Sequence, residues 1–428
     1  MSAESSWKDA YQGLVATLDS YVTRSRLLIG GFSTCLDMYL SLRDAEGVRQ
    51  AATDTPAEEI FAELNRRATL GVGGELAFDW PAGPGWMNAH LPGRPALGGT
   101  SAQAAQQLAL LGAEALIALS DRSKDQLDVI HPKVLVASAK GAVASDRIPR
   151  QGELSKPPHY IFEFAAGETI GGAPVPRSSR VILRFSDAQL EHDPDFERLS
   201  VTLASRAGAG IVCGLNEVSS ASLEAEAGYA ASLAHAWRER GLSLVHFELG
   251  DYEEPYLRDR SLAKVAPAVS SLGMSLSEFH SFCPAGEAQI ETRVIQLAER
   301  FGLSRVCVHA DEWAMAATLG DAEQEREALM MGCLLAASRA SAGQAVFPKR
   351  LPDNARFSTP PLSNLQRRND WSIVSCPAPY LTRPVATIGL GDTFLAGTLL
   401  VLGGAQADLP SASSKDGERR GPGGAEGI

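Results

Sequence analysis

The chain has 428 residues, enough to bury a large core and more than one domain usually needs. Hydrophobic residues at 45% are ordinary for a soluble globular protein, and a formal net charge of −12 argues against electrostatic binding to nucleic acid or to an anionic membrane surface. The six cysteines are scattered with no CxxC pair, and most stand in apolar runs such as Arg305-Val306-Cys307-Val308. Free buried thiols in a reducing cytoplasm are expected, not disulfides or a zinc site. The longest apolar stretch, 394–405, is too short and too glycine-rich for a membrane span, and no signal-type apolar core follows the charged N-terminus. A soluble, cytoplasmic protein is the expectation.

In chain order, residues 5–24 place Trp7, Tyr11, Leu14, Leu18 and Tyr21 at helical spacing, which predicts an amphipathic helix. Leu27-Leu28-Ile29 reads as a short buried strand that stops at Gly30-Gly31. A helix over about 99–118 follows Gly98-Gly99. His159–Phe164 and 180–185 alternate apolar and polar residues as two strands of a sheet, with the glycine-rich turn 167–172 between them. From about residue 200 strands and helices alternate: strand 210–214, helix 221–240, strand 242–249, helix 286–301, strand Arg305–His309 and helix 322–342. That rhythm predicts a doubly wound α/β domain with a parallel central sheet. From residue 405 onward Gly, Ser, Pro and charge dominate, which predicts a disordered tail over 405–428.

The strongest chemical signal is Thr387-Ile388-Gly389-Leu390-Gly391-Asp392-Thr393-Phe394. Gly389 and Gly391 flank Leu390, Asp392 follows at once, and an apolar helical run begins after it. A helix N-terminus carries unpaired N–H donors and the positive end of the dipole, so the backbone of Leu390, Gly391 and Asp392 can bind phosphoryl oxygens. Asp392 can accept the proton of an attacking hydroxyl. Alone, the pattern also describes a capping aspartate after a glycine turn. Asp37 has the same two readings. It is a cap at a strand-to-helix turn, or a carboxylate for hydroxyl groups at the carboxyl end of a strand, where α/β folds bind ligands. Gly98 and Gly99 form a left-handed turn before a helix, or a bared backbone that lets a ligand approach.

Taken in order, the segments resemble the ADP-dependent glucokinases and phosphofructokinases, a branch of the ribokinase-like sugar kinases. Gly31-Phe32-Ser33-Thr34-Cys35-Leu36-Asp37 resembles that family's first-strand motif, whose aspartate binds the sugar. Gly98-Gly99-Thr100-Ser101-Ala102-Gln103 is similar to its GG motif and helix. Tyr160-Ile161-Phe162-Glu163-Phe164 and Arg177-Ser178-Ser179-Arg180-Val181-Ile182 are similar to its lid strands, His246-Phe247-Glu248 to its HxE motif, and Cys307-Val308-His309 to a further strand. The chain departs from the pattern in places. Ser33 and Cys35 stand where the family has asparagines, Gln106 stands where its GG helix has another, and Ser275-Leu276-Ser277-Glu278 replaces an NxxE motif.

The resemblance implies roles for named residues. Asp392 is the general base, with Gly389, Leu390 and Gly391 forming the anion hole. Asp37, Gly98 and Gly99 bind the acceptor, with Glu75 as a further contact. Arg180, helped by Arg177, reaches from the lid toward phosphate. Glu248 and Glu278 hold Mg²⁺, a hard cation that prefers oxygen ligands and keeps several waters. Tyr380, Val385 and His309 stand near the nucleotide. Plainer readings compete: Glu278 as a solvated helix residue, His246 and His309 as satisfied core histidines, Arg177 and Arg180 as exposed residues of a hairpin.

The expected fold is a ribokinase-like doubly wound α/β sandwich with a smaller β-rich lid. The large nucleotide-binding domain comprises 1–37, 98–156 and 187–404, and the lid 38–97 and 157–186. The expected reaction transfers a phosphoryl group from ADP to a hydroxyl of a sugar or sugar phosphate, giving AMP. Two alternatives stay open at this point: an ATP-dependent ribokinase-like sugar or nucleoside kinase, and a non-catalytic sugar or nucleotide sensor on the same fold.

Overall fold

A computed structural model describes residues 3–153, 156–186, 189–283, 289–360, 362 and 365–404. The predicted tail, 405–428, and the first residues of the predicted helix 286–301 lie outside them. The backbone is organised around two sheets.

The larger sheet has eleven strands. From one edge they are Leu365–Arg368, Trp371–Pro377, Trp313–Thr318, Arg305–His309, Ser271–Ser275, Val245–Glu248, Ala207–Val212, Leu27–Gly30, Ala115–Ile117, Leu135–Ser138 and Gly141–Ala144. Neighbours from Arg305–His309 through Leu135–Ser138 pair in parallel, and both margins are antiparallel. Alternate residues of each strand feed opposite faces. Leu28, Ile211 and Cys307 join a core with Tyr11, Leu108, Leu329 and Leu399, while Ile29, Val212 and Val306 join one with Phe196, Trp237, Leu262 and Val294. Helices therefore cover both faces, as a buried parallel sheet requires. No helix among the described residues is long and apolar enough to cross a membrane, and all six cysteines are buried.

The smaller sheet has five strands in the order Gly74–Ala77, Ser179–Arg184, His159–Phe164, Cys35–Ser41 and Arg94–Gly98. Its inner face packs a separate core of Ile60, Leu64, Phe162, Val181 and Leu183 under the helix Pro56–Leu70. The boundary drawn at residues 37/38 falls inside the strand Cys35–Ser41. The chain crosses between the sheets at 31–34, where Phe32 adopts φ 84°. That conformation is costly for an aromatic residue. Buried ring contacts with Trp237 and Tyr229, at centroid distances of 5.9 and 5.7 Å, hold it.

The helix predicted over 99–118 is shorter. Thr100–Leu111 is helical, Gly112 caps it at φ 99°, and Ala115–Ile117 is a strand of the larger sheet. Its continuous apolar run fits a buried strand as well as a helix, and the glycine decides between them.

Candidate active site

The parallel strands all end on one side of the larger sheet, and the smaller sheet faces that side. Asp37, on the smaller sheet, and Asp392, on a helix of the larger unit, are near enough for the Asp392 charge to act on Asp37. Asp37 sits mid-strand, paired with Ala96 on one side and His159 on the other. Burial, reinforced by the Glu217 charge and by Asp392 itself, pushes its carboxyl well above the ordinary range; the Cys35 thiol and Arg339 offset part of this. Asp392 lies in the first turn of the helix Leu390–Gly404. Burial raises its carboxyl too, and Arg339, a hydrogen bond with Thr100 and the more distant Arg180 counter that rise. A cleft of about 700 Å³ lies along the strand Cys35–Ser41, lined by Leu36, Met38, Tyr39 and Leu97 from the smaller sheet and Gln103, Gln106 and Arg339 from the larger unit; neither Asp37 nor Asp392 is part of its lining. That volume suits a small ligand.

The loop before Asp392 is fixed from below. Arg339, 5% exposed in the helix Ala322–Ala342, donates from Nε to Ile388 O at 3.0 Å and from Nη1 to Thr393 Oγ1 at 3.3 Å. Gly389 is at φ 70°, and a Cβ there would lie 2.4 Å from the guanidinium. Glycine is therefore required twice over, for conformation and for space. Thr393 N donates to Gly389 O at 3.0 Å. The N–H groups of Leu390, Gly391 and Asp392 precede that bond, at the positive end of the helix dipole. From above, Glu163 Oε1 of the smaller sheet accepts from Thr387 N at 2.9 Å. Opposite Glu163 in the register stands Arg180, whose buried Nε has no hydrogen-bond partner.

At Gly98 a Cβ would fall 2.1 Å from Asp37 Oδ1 and 2.6 Å from Cys35 Sγ, and at Gly99 2.6 Å from Ser33 O. The space these glycines leave is filled by the protein's own first-strand residues, Asp37 above all. They admit that carboxylate, where the sequence suggested a ligand against bare backbone.

A second group of carboxylates lies at the strand ends Glu248, Ser275 and His309. His246 Nε2 donates to Glu248 Oε2 at 2.9 Å, and His309 Nε2 lies 3.4 Å from Oε1. Behind His246, Ser271 Oγ lies 2.8 Å from its Nδ1 and accepts from Arg305 Nη1 at 3.1 Å. With Arg305 donating, the serine proton goes to Nδ1, which leaves His246 neutral and protonated on Nε2. Burial holds His246 below its ordinary value. It opposes the charge on His309 as well, but Glu248, Glu278 and Asp311 outweigh it and raise that imidazole. Burial alone would raise Glu248; its histidine hydrogen bonds and the imidazolium charge bring it to about 2 instead. Gly273 is the enabling residue, since a Cβ would lie 2.2 Å from Glu248 Oε2.

Glu278 belongs to a capping box: Ser275 N donates to its Oε2 at 2.7 Å, and Glu278 N donates back to Ser275 Oγ at 3.2 Å. Burial and the neighbouring Glu248 raise its carboxyl to about 7. Glu75 is also raised, to about 8, by burial and the charge of Glu217, although Arg184 Nη2 stands 3.1 Å from it and Asn216 Nδ2 donates to it at 3.1 Å.

The remaining sequence-predicted residues are held by other contacts. Arg177 pairs with Asp311, just past the strand Arg305–His309. Tyr380, half-buried, bridges backbone to backbone with Arg356 and lies within reach of the Asp311 and Glu312 charges. Val385 is 69% exposed beside Gly343, its N–H held by Ala340 O at 2.7 Å. Sequence reasoning passed over Arg339, Glu217, His159 and Thr100. Arg339 left one signal, a lone arginine in the small and apolar run Leu334-Leu335-Ala336-Ala337-Ser338-Arg339-Ala340. Glu217 left another, Asn216-Glu217 just past the strand Ala207–Val212.

The conserved region of the ADP-specific Phosphofructokinase/Glucokinase family matches residues 70–401 of this chain. The chain belongs to this family. Among curated relatives, it is 26% identical over 289 residues to the ADP-specific phosphofructokinase of Thermococcus zilligii, covering 58% of this chain and 62% of that protein. It is 26% identical over 281 residues to that of Thermococcus litoralis, covering 55% and 61%. The chain thus spans about three-fifths of the length of the family members it matches. An ADP-dependent kinase solved with fructose-6-phosphate and ADPβS superposes at a TM-score of 0.76 with 16% identity, over 95% of this chain and all of that one. A phosphofructokinase from Pyrococcus horikoshii OT3 solved with AMP gives 0.69 with 17% identity, over 89% and 98%. At such identities the likeness shows a shared fold.

Proposed function

We propose that this protein is an ADP-dependent kinase, with Asp392 as its general base, that transfers a phosphoryl group to a hydroxyl of a sugar or sugar phosphate and releases AMP. One observation carries the reading: Arg339 donates to Ile388 O and Thr393 Oγ1, which fixes the turn that sets Asp392 in the first turn of its helix, and the same guanidinium lowers the carboxyls of both Asp392 and Asp37. That arrangement supports an acceptor hydroxyl held by Asp37 and deprotonated by Asp392. A raised carboxyl is a stronger base once ionised, and the Arg339 charge favours the ionised form of Asp392. The N–H groups of Leu390, Gly391 and Asp392 stabilise the transferring oxygens, and Arg180, with a buried unpartnered Nε, completes the charge from the smaller sheet. Val385, an exposed apolar side chain at the nucleotide end, offers a surface to the base.

A divalent metal fits the residues at the strand ends. Glu248 and Glu278 repel each other, and with Glu75 the three acids carry one more negative charge when ionised than Arg184 and the His309 imidazolium balance. When bound, the metal supplies charge neutralisation on the phosphoryl oxygens. The smaller sheet acts as a lid. Its bonds Arg177 to Asp311, Glu163 to Thr387 N and Arg184 to Glu217 O hold it against the larger unit and exclude water from the cleft.

The test is a panel of sugars and sugar phosphates with ADP or ATP, following AMP and ADP release. AMP formation with ADP, lowered by about 10²–10⁴-fold in Asp392→Asn with nucleotide binding retained, is the expected result. ADP release from ATP with no turnover of ADP refutes the donor assignment. Nucleotide binding without turnover of any acceptor refutes the kinase assignment.

A further inference from the structure

We propose that Cys35, Asp37 and His159 form a site for a thiophilic divalent cation of the zinc class at the acceptor end of the cleft. The three side chains come from neighbouring strands of the smaller sheet. Cys35 and Asp37 are two apart and share a face, and His159 lies directly opposite Asp37 in the parallel register. Cys35 Sγ stands 3.6 Å from Asp37 Oδ1 and 3.6 Å from His159 Nδ1, and His159 Nδ1 stands 3.9 Å from Asp37 Oδ1. Bond lengths of about 2.3 Å to sulfur and about 2.0–2.1 Å to nitrogen or oxygen, at tetrahedral angles, require separations of about 3.5–3.6 Å from sulfur and about 3.4 Å between nitrogen and oxygen. Two of the three separations already agree, and the third closes with a small rotation of the imidazole.

Two further features point to a ligand. The space at Gly98 holds both Asp37 Oδ1 and Cys35 Sγ, so the strand on that side is cut back where the ligand atoms converge. The other face of the imidazole is also arranged: Glu217 Oε2 lies 3.9 Å from His159 Nε2. That separation is longer than a hydrogen bond; a carboxylate that closes onto the far nitrogen of a histidine orients the ring with its other nitrogen toward a metal. The donor set of sulfur, imidazole and one carboxylate selects zinc-class ions over magnesium, which wants oxygen ligands alone. It is therefore chemically distinct from the Glu248 and Glu278 pair. Binding replaces the Cys35 thiol proton, which leaves to solvent, and forms a sulfur–metal bond. Because Asp37 becomes a ligand, occupancy withdraws it from the acceptor. Zinc is then an inhibitor competitive with the sugar and not with the nucleotide, a consequence that rests on the kinase reading; the site itself does not.

The experiment uses the full chain, reduced and stripped with chelator, titrated with Co²⁺. Wild type is expected to show thiolate-to-cobalt charge-transfer absorption at stoichiometric Co²⁺, unaffected by excess Mg²⁺ and displaced by Zn²⁺. Cys35→Ser abolishes it, and Glu217→Gln weakens Co²⁺ binding by about 10–100-fold. Absence of the band in folded wild type, or a full band in Cys35→Ser, overturns the proposal. Circular dichroism establishes that each variant is folded. If Cys35→Ser is not, His159→Gln is titrated in its place, and an undiminished band there overturns the site equally. In the activity arm, Zn²⁺ inhibits wild type and Cys35→Ser resists. A chain that gives the band without turnover refutes the kinase reading and leaves the site; turnover without the band does the reverse.

Discussion

Gly98→Ala is the most informative single change, because the methyl it adds crowds two named side chains, Asp37 first and Cys35 second. Gly98 does not have a positive φ, so alanine fits its backbone and the whole effect comes from the added methyl. That methyl would sit 2.1 Å from Asp37 Oδ1 and 2.5 Å from its Cγ. A carbon–oxygen contact settles at about 3.3 Å or more, so the carboxylate must retreat by roughly 1 Å. The Asp37 backbone cannot move with it, being paired to strands on both sides. Overpacking of this kind costs about 1–3 kcal/mol of stability. A misplacement of about 1 Å in a positioning group costs about 10²-fold in rate. The assay is acceptor kcat/KM beside nucleotide Kd and the urea midpoint. The expected outcome is a fall of about 100-fold in acceptor kcat/KM with nucleotide Kd unchanged, since the 389–392 loop is held by Arg339 of the larger unit and not by Gly98. Unchanged acceptor kinetics together with an unchanged midpoint refutes the reasoning, for it means that Asp37 does not need this space.

Arg339→Met removes the donor to Ile388 O and the cation beside both aspartates; unfolding should become about 1–3 kcal/mol easier, and the acidic limb of any pH–rate profile should move to higher pH as Asp392 loses its stabilising charge. Arg305→Met leaves Glu325 buried without its ion-pair partner at 2.8 Å and is expected to cost about 3–5 kcal/mol in urea unfolding, most of it recovered in the Arg305→Met, Glu325→Leu double variant. Glu75 ionises near 8 in the folded chain against an ordinary 4.5. The folded state therefore holds the extra proton between those values, and stability should fall as pH rises from 4.5 to 8, by up to about 1.4 kcal/mol per pH unit. Glu75→Gln should flatten that slope, measured by urea midpoints across the range.

The stretch 387–394 could be read directly, because its chemistry is local. A glycine in the left-handed region, the start of a helix and a carboxylate in its first turn all lie within a few residues. The alternation of strands and helices after residue 200 is legible for a similar reason: periods of two and 3.6 are set by neighbours along the chain. The sequence also contained the apolar run 115–117, but its state depended on a partner strand at Leu27–Gly30, so the helix was drawn too long.

What tertiary structure alone decided is which distant residues share the cleft. The charge of Asp392 reaches Asp37 because Phe32 turns the chain from one sheet into the other, and because Arg177, Glu163 and Arg184 bond the smaller sheet to loops of the larger unit. Arg339 lies 53 positions before Asp392, in the small and apolar last turns of its helix, and its role as the floor of the 389–392 loop has no local pattern. Cys35 was expected to be an ordinary buried thiol, and it is buried; its company with His159 and Asp37 arises from strand register alone. Local sequence fixes backbone conformation through short-range sterics and hydrogen bonding. Which charges are desolvated together, and hence which carboxylates ionise and what they can bind, depends on contacts that only the closed three-dimensional chain creates.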